Sequence, residues 1–245
     1  SGIVQSNLVF HVADNAIGDF SWVKPGRASW SWWSDPDSPR QFKELQKFVD
    51  LSSQLGWEYT LVDANWNTME GGTLEELARY ANAKKVGLLV WYNSGGPHND
   101  VTEQPRDRML DSVIRRKEMQ WLSSMGVKGI KVDFFQSDKQ HIIGQYLGIL
   151  KDAADYKLLV NFHGCTIPRG WQKTWPNLLT MEAVRGAETY SSPEFPGRAP
   201  AHNVNLVFTR NVIGSMDYTP VTFSHARQPH ITTNGHELAL AVVYE

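Results

Sequence analysis

The stretch Val86-Gly-Leu-Leu-Val-Trp91 decides the fold, because its residues are apolar throughout and do not alternate between apolar and polar. A strand of this composition is covered on both faces, which is typical of a parallel sheet. Similar runs recur along the chain and predict seven strands. The predicted strands are Ala28–Ser34, Tyr59–Asn65, Val86–Ser94, Gly129–Phe135, Leu158–Cys165, Leu178–Val184 and Met216–Phe223.

Helical segments are predicted between these strands, since apolar residues recur there at three- and four-residue spacing. They are Pro39–Leu55, Leu74–Lys84, Pro105–Met125, Lys139–Tyr156 and, more weakly, Asn203–Ile213. Strand–helix alternation predicts an α/β fold, either a barrel or a doubly wound sheet. The nearest candidate for a dinucleotide-binding turn, Asn93-Ser-Gly-Gly-Pro97, lacks the G-x-G-x-x-G spacing, which argues against a Rossmann fold.

Polar or aromatic side chains stand near the ends of all seven predicted strands. They are Trp32 and Asp35, Asp63 and Asn65, Tyr92 and Asn93, Asp133, Asn161 and His163, Glu182, and Asp217. In a (β/α)8 barrel these ends converge on one cup, which holds the active site, whereas an open sheet would spread them along an edge. We therefore predict a (β/α)8 TIM barrel in residues 25–245.

The two ends of the chain carry further expectations. Residues 1–24 include the alternating stretch Leu8-Val-Phe-His-Val12, which predicts a strand or an extended linker. The chain stops inside the apolar helical pattern Glu237–Glu245, so we expect a barrel truncated before its eighth strand. It starts at Ser1 with neither an initiator Met nor a signal peptide, so we expect that targeting information has been removed.

The composition excludes several classes of function. Lys and Arg total 24 against 26 Asp and Glu, so the net charge gives no reason to expect nucleic acid as a partner. Cys165 is the only cysteine, which excludes an internal disulfide and a zinc site of several thiolates. No apolar run approaches the ~20 residues of a membrane span. The ten Trp residues indicate either a sugar-binding cleft or a large aromatic core.

Two further classes of hydrolase receive little support. The eight His residues show no H-E-x-x-H spacing, which argues against a zinc hydrolase. The chain has no G-x-S-x-G elbow, which argues against a serine hydrolase.

Lys131-Val-Asp133 is the first motif that carries chemistry. A buried strand-end carboxylate needs compensation, and a Lys two residues earlier lies on the same face and can hold Asp133 ionised. A positioned, ionised carboxylate is the nucleophile of a retaining glycosidase. The alternative is a structural ion pair inside the barrel.

Glu182 and Glu188 form the second group. Glu182 ends the sixth predicted strand and needs a partner, which a hard cation such as calcium would supply. Glu188 follows in the next loop and could protonate a leaving oxygen. The alternative for Glu188 is a solvated loop residue.

A third group offers substrate-binding candidates. Asp63 and Asn65 share a strand face and could bind sugar hydroxyls, and Trp66 could stack on a sugar ring or pack in the core. Asn161 and His163, on the fifth predicted strand, are further candidate hydroxyl ligands. The alternative for His163 is a structural histidine.

Together these residues resemble glycoside hydrolase family 97. The segments that carry the resemblance span most of residues 20–245. They are Trp22-Val-Lys-Pro-Gly26, Ser29-Trp-Ser-Trp-Trp33, Leu61-Val-Asp-Ala-Asn-Trp66, Gly129-Ile-Lys-Val-Asp-Phe-Phe135, Val160-Asn-Phe-His-Gly164, Met181-Glu-Ala-Val-Arg-Gly-Ala-Glu188 and Met216-Asp-Tyr-Thr-Pro220.

The resemblance implies which of two mechanistic branches applies. The inverting branch carries a base glutamate after the fifth strand, where this chain has Gly164. The retaining branch carries an aspartate nucleophile after the fourth strand, where Asp133 stands. The resemblance thus implies Asp133 as nucleophile and Glu188 as acid/base. It further implies calcium bound by Glu182 and Glu188. A retaining mechanism that uses these two residues predicts a carboxyl separation of roughly 5–5.5 Å between Asp133 and Glu188.

The same resemblance implies a substrate and a setting. We expect terminal α-galactosides as substrates, a periplasmic or secreted bacterial location, and flanking β domains in the intact protein. The alternatives are a β-L-arabinopyranosidase or α-glucosidase of this family, or a non-catalytic sugar-binding barrel. In that last case Trp30, Trp32, Trp66 and Trp91 would bind the sugar and the carboxylates would be structural; Trp32 and Lys131 are substrate-binding candidates in the enzyme as well.

Overall fold

A sheet of six strands runs through the protein in the order β1 to β6. The computed structural model describes residues 8–220, 223 and 229–244. The strands are β1 Ala28–Trp30, β2 Tyr59–Val62, β3 Gly87–Asn93, β4 Gly129–Asp133, β5 Leu159–Phe162 and β6 Leu178–Met181. The pairs from β1–β2 to β4–β5 are parallel.

Strands that are consecutive in the sequence are also neighbours in the sheet. A doubly wound sheet reverses this order at a switch point, whereas a (β/α)8 barrel keeps it. Helices α2 to α6 each lie between two consecutive strands, α1 precedes β1, and α7 and α8 follow β6. The helices are α1 Leu8–Val12, α2 Phe42–Leu55, α3 Leu74–Ala83, α4 Ser112–Ser124, α5 Gln140–Asp155, α6 Trp171–Thr174, α7 Ala199–Val207 and α8 Asn234–Val243. The predicted (β/α) barrel architecture is confirmed over the six strands that the structure describes.

Local chemistry fixes where several helices begin and end. Thr73 and Glu76 form a capping box at the start of α3, each accepting a hydrogen bond from the other's backbone N–H. Asp111 caps α4 by accepting from two backbone amides. Gly56 ends α2 with a φ of 65°, a left-handed conformation that glycine adopts without strain.

The chain divides into two compact units. The first, which we call the sheet unit, comprises residues 18–165 and 175–179. The second, which we call the C-terminal unit, contains the described residues of 1–17, 166–174 and 180–245. Strand β6 begins in the sheet unit and ends in the C-terminal unit.

The core of the sheet unit includes an aromatic cluster of Phe135, Tyr146 and Phe162, all completely buried. The Phe135 and Tyr146 rings stack with centroids 3.8 Å apart, and both meet Phe162 edge-on. Ring pairs of this geometry add to the stabilisation that burial provides. The cluster packs α5 against β5 and the end of β4.

Three predicted elements differ from the structure. Leu8–Val12 is helix α1 and not a strand, because a five-residue apolar pattern does not separate one helical turn from a strand. The helix predicted from Pro105 begins at Ser112, where Asp111 supplies the cap. The seventh predicted strand is reduced to a parallel bridge between Met216 and Met181; residues 221 and 222 of that prediction lie outside the described residues.

Other boundaries shift by a few residues. Strand β1 stops at Trp30, because the amides of Ser34 and Asp35 turn back to the Ser31 carbonyl. The weak helix predicted at Asn203–Ile213 lies partly in α7 and partly in a 3-10 turn, Arg210–Ile213. In the part of the chain that the structure describes, no helix has the length and apolar character needed to cross a membrane.

Candidate active site

Lys131 lies between two buried carboxylates at the carboxyl ends of the strands. Its Nζ is 3.0 Å from Asp63 Oδ2 and 3.9 Å from Asp133 Oδ2. Lys131, Asp63 and Asp133 are 3%, 4% and 7% exposed. Residues from alternate strands share a layer in barrels of this type, which explains how a residue of β4 meets one that follows β2. The predicted pairing of Lys131 with Asp133 is present, but Asp63 is the closer partner.

Two tryptophan side chains donate hydrogen bonds to these carboxylates. Trp30 Nε1 donates to Asp63 Oδ2 at 2.8 Å, and Trp91 Nε1 donates to Asp133 Oδ2 at 3.2 Å. The Lys131 ammonium also lies 4.8 Å from the Trp30 ring centroid, a cation–π distance. The sequence predicted these indoles either as sugar-binding surfaces or as parts of an aromatic core, and no sequence spacing marks an indole as a hydrogen-bond donor.

Backbone amides hold the second oxygen of each aspartate. Ala64 N donates to Asp63 Oδ1 at 2.8 Å, and Phe134 N donates to Asp133 Oδ1 at 2.7 Å. Phe134 has a φ of 63°, which a non-glycine residue adopts only under strain. Hydrogen bonds to an ionised carboxylate stabilise its charged form, so both aspartates lie in surroundings that suit carboxylates.

Gly164 lies directly against Asp133. A Cβ atom at this position would be 2.7 Å from Phe134 N and 2.9 Å from Asp133 Oδ1, and the φ of Gly164 is +50°. A side chain is therefore excluded by contact and by backbone conformation. The glutamate that the inverting branch is expected to carry here has no room in this backbone arrangement.

Asn161 and His163 lie on β5 and directly after it. Asn161 is the register partner of Lys131 and is partly buried. His163 is 1% exposed, and its backbone N donates to the Val132 carbonyl at 2.9 Å. Both residues thus continue the strand ends that carry Lys131 and Asp133.

Asn65, Trp66 and Trp32 are placed differently from one another. Asn65 Oδ1 accepts from Gln104 N at 3.0 Å, which fastens the loop before α4. Trp66 is 7% exposed, and its Nε1 donates to the Trp91 carbonyl, so it packs in the core. Trp32 is partly buried and stacks on Trp30 with centroids 5.4 Å apart.

In the C-terminal unit, Glu182 and Glu188 approach each other. Each contributes a carboxylate oxygen, and these two atoms lie within 4.8 Å. Glu182 follows β6, and Glu188 belongs to the 3-10 turn Ala187–Ser191. Oxygen ligands of this kind suit a hard cation such as calcium. Asp133 and Glu188 belong to different units, so their separation of roughly 5–5.5 Å stays a prediction.

Arg210 is a buried residue of this unit that sequence reasoning missed. It is 6% exposed, and its guanidinium donates to the carbonyls of Met181 and Gly214, each at 2.8 Å. A guanidinium offers five donors, so one side chain can satisfy several carbonyls where regular pairing ends. Arg210 thereby fixes the backbone that leads into Glu182.

Buried carboxylates held at the strand ends of a sequentially ordered parallel sheet define a (β/α) barrel with a carboxylate-based site. A family model described as Glycoside hydrolase 97 matches residues 22–184. The chain therefore belongs to glycoside hydrolase family 97, as the sequence motifs predicted.

Relatives and solved structures agree with this assignment. A "Probable retaining alpha-galactosidase" of Streptomyces bingchenggensis is 38% identical over 94% of this chain and 35% of its own length. A "Retaining alpha-galactosidase" of Bacteroides thetaiotaomicron is 30% identical over 99% of this chain and 39% of its own. The crystal structure of a β-arabinopyranosidase, 35% identical, superposes with a TM-score of 0.89 over 99% of this chain and 40% of that one. The chain thus spans less than half the length of each.

Proposed function

We propose that the protein is a retaining, exo-acting glycoside hydrolase that cleaves terminal α-galactosides through a covalent glycosyl-enzyme intermediate. The observation that carries this proposal is the fixed carboxylate of Asp133, bonded at one oxygen by Phe134 N–H and at the other by Trp91 Nε1–H. A nucleophile needs this orientation before substrate arrives. The two relatives described as retaining α-galactosidases support the choice of substrate.

Asp133 is the nucleophile in this proposal. One of its oxygens forms a bond to the anomeric carbon, and the bond from that carbon to the leaving oxygen breaks. Glu188 gives its proton to the leaving oxygen in the same step. Gly164 carries no side chain at the point where a Cβ would lie 2.9 Å from Asp133 Oδ1, which agrees with attack by the aspartate and not by a water held on a glutamate at this position.

Glu188 reverses its role in the second step. It takes a proton from water while the water oxygen bonds to the anomeric carbon, and the bond to Asp133 breaks. Two displacements on one carbon return the original configuration. We infer that Asp63, Lys131, Asn161 and His163 bind sugar hydroxyls, because donors and acceptors are grouped at these strand ends.

Calcium is part of the proposal, because the neighbouring carboxylates of Glu182 and Glu188 offer the oxygen ligands that this ion prefers. Bound there, the ion would supply positive charge that helps to bind and polarise the substrate. Glu182 and Glu188 would hold the ion. We further propose a periplasmic or secreted bacterial location, as the family resemblance implies.

The stereochemistry of the product tests the mechanism. The full-length protein, incubated with a nitrophenyl α-galactoside, is expected to release α-galactose first, as followed by proton NMR. Asp133→Ala is expected to abolish turnover, and azide is expected to restore part of it with a β-galactosyl azide as product. Asp100→Ala, which removes an exposed carboxylate, serves as the control and should retain turnover. First release of β-galactose would contradict retention.

A β-L-arabinopyranosidase is the second candidate, because the β-arabinopyranosidase structure is 35% identical to this chain. The two sugars share their ring hydroxyl configuration and differ at C5, where galactose carries a hydroxymethyl group. Comparison of kcat/KM for nitrophenyl α-galactoside and nitrophenyl β-L-arabinopyranoside decides between them. Absence of turnover on every pyranoside tested would instead favour the non-catalytic sugar-binding barrel.

A further inference from the structure

The indole of Trp91 is a buried donor aimed at Asp133. Trp91 lies on β3, is 1% exposed, and places Nε1 3.2 Å from Asp133 Oδ2. We propose that Trp91 is a positioning residue that acts through Asp133 and selectively speeds the breakdown of the glycosyl-enzyme. This inference rests on the proposed function, since it assigns to Asp133 the role of nucleophile.

Several contacts hold the Trp91 donor in place. Its backbone carbonyl accepts a hydrogen bond from Trp66 Nε1 at 2.8 Å, and its ring meets that of Phe134 edge-on at 6.0 Å. Lys131 is farther from the same carboxylate oxygen, at 3.9 Å, because Asp63 holds its ammonium at 3.0 Å. The indole is therefore closer to Oδ2 than the ammonium is, although the ammonium carries the charge.

The two chemical steps change the negative charge on Asp133, which accepts the hydrogen bond from Trp91. In the first step a carboxylate oxygen of Asp133 bonds to the anomeric carbon, the electron pair of the broken bond stays on the leaving oxygen, and Glu188 protonates that oxygen. In the second step a water oxygen bonds to the same carbon and a water proton moves to Glu188. The electron pair of the ester bond then returns to Asp133 as carboxylate.

A carboxylate is a stronger hydrogen-bond acceptor than an ester. Whichever oxygen of Asp133 bonds to the sugar, the bond from Trp91 weakens in the intermediate and strengthens again as negative charge returns. An interaction that is stronger in the transition state than in the state before it speeds that step. Trp91 therefore favours deglycosylation, whereas in the first step the weakening of this hydrogen bond offsets the orientation that it gives to Asp133.

Trp91→Phe removes the donor and keeps an aromatic ring. With an aryl α-galactoside that has a good leaving group, we expect deglycosylation to slow on the order of tenfold, the effect of one hydrogen bond to a charged group. Rapid-quench kinetics should show a larger burst of aryl alcohol, and KM should fall together with kcat. The value of kcat/KM, which reports glycosylation, should change much less. Trp57→Phe, a partly buried residue just before β2, is the matched control and should leave both steps unchanged.

A second variant covers the case in which Trp91→Phe does not fold. Replacement of Trp91 by benzothienylalanine keeps the shape of the indole and substitutes sulfur for N–H. This variant should also slow deglycosylation selectively and enlarge the burst of aryl alcohol. Equal slowing of both steps, or an unchanged burst in this isosteric variant, would overturn the role of Trp91. Failure of the wild-type protein to release the retained anomer would instead overturn the proposed function, so the two failures are distinguishable.

Discussion

Lys131 is the residue on which two buried carboxylates of the sheet unit, Asp63 and Asp133, depend. Its ammonium is 3.0 Å from Asp63 and 3.9 Å from Asp133, and all three side chains are shielded from water. Removing one partner of a buried ion pair leaves an uncompensated buried charge. This destabilises the fold more than replacing both partners with apolar residues would. The lysine therefore stabilises the fold and the site together.

Lys131→Met is expected to lower the free energy of unfolding by about 3–5 kcal/mol, because two buried carboxylates lose their cation. Urea denaturation at pH 7 measures the loss. The double variant Lys131→Met/Asp63→Asn should recover part of it, since one of the two charges is then gone. Lys128→Met, at an exposed position just before β4, should change stability by no more than about 0.5 kcal/mol. A loss from Lys131→Met as small as that of the control would contradict the pairing.

Gly164→Ala is expected to reduce kcat by about 100-fold, because the new methyl group displaces Asp133 from its aligned position. It should also destabilise the fold, since alanine is strained at a φ of +50°. Gly144→Ala on α5 is the control: its Cβ meets nothing within 4 Å, and it should stabilise the helix by up to about 1 kcal/mol. Turnover of Gly164→Ala close to the wild-type value would show that Asp133 tolerates the displacement.

Sequence reasoning could predict part of this site at the residue level. The two-residue spacing in Lys131-Val-Asp133 places both side chains on one strand face, which the structure confirms. That spacing carries no information on Asp63, which lies 68 residues earlier and is nevertheless the closer partner of Lys131. The indole donors depend in the same way on contacts between strands, and these leave no periodic pattern in the sequence.

At the level of elements, residues that follow three of the strands have backbone conformations that are rare for non-glycine residues. Asn65, Phe134 and Ala183 follow β2, β4 and β6, and each has a positive φ. Such conformations cost energy and persist where surrounding contacts hold them, often at functional sites. They turn the chain sharply after each of these three strands, which keeps Asp63, Asp133 and Glu182 at the strand ends.

The apolar patterns predicted the six strands and the main helices, because burial on both faces or on one face imposes a fixed period. The apolar patterns failed where a helix cap or a single contact determines where an element begins. The helix predicted from Pro105 begins only at Ser112, after a loop whose carbonyls accept hydrogen bonds from the Arg106 guanidinium. The pattern at Leu8–Val12 was too short to identify a helix.

The link between the start of β1 and the start of β2 predicts a pH dependence. The Arg27 guanidinium hydrogen-bonds Glu58 and lowers the pKa of that carboxyl from 4.5 to about 2. The pair therefore stabilises the fold above pH 4.5, and this contribution is lost as the pH falls toward 2. Because the Glu58 side chain is 39% exposed, we expect a contribution of about 1 kcal/mol or less.

Glu58→Gln tests this link. The difference in the free energy of unfolding between wild type and Glu58→Gln should be largest near pH 6 and shrink toward pH 2. Salt at 1 M should reduce the difference at pH 6, because the pair is exposed and therefore screened. A difference that stays constant from pH 6 to pH 2 would show that the lost interaction is not ionic.

At the scale of the whole molecule, calcium binding has a readout that does not depend on catalysis. Added CaCl2 should raise the Tm of the full-length protein, because an ion that binds only the folded state stabilises that state. At a calcium concentration of about 100 times Kd, the free energy of unfolding should rise by about 2.7 kcal/mol. Glu182→Gln should remove most of the shift. Glu194→Gln, whose side chain is 83% exposed, should keep it. An equal shift in both variants would show that the ion binds elsewhere.

The sequential strand order also bears on how the protein is made. Paired residues of neighbouring strands, such as Ala28 and Tyr59 or Gly129 and Leu159, are separated by about one strand–helix unit of sequence. Each strand can therefore dock on the one synthesised just before it, so the sheet can assemble during translation from its N-terminal end. Lys131 would then contact Asp63 as soon as β4 emerges from the ribosome. This would happen before the segment that carries Glu182 and Glu188 has been synthesised.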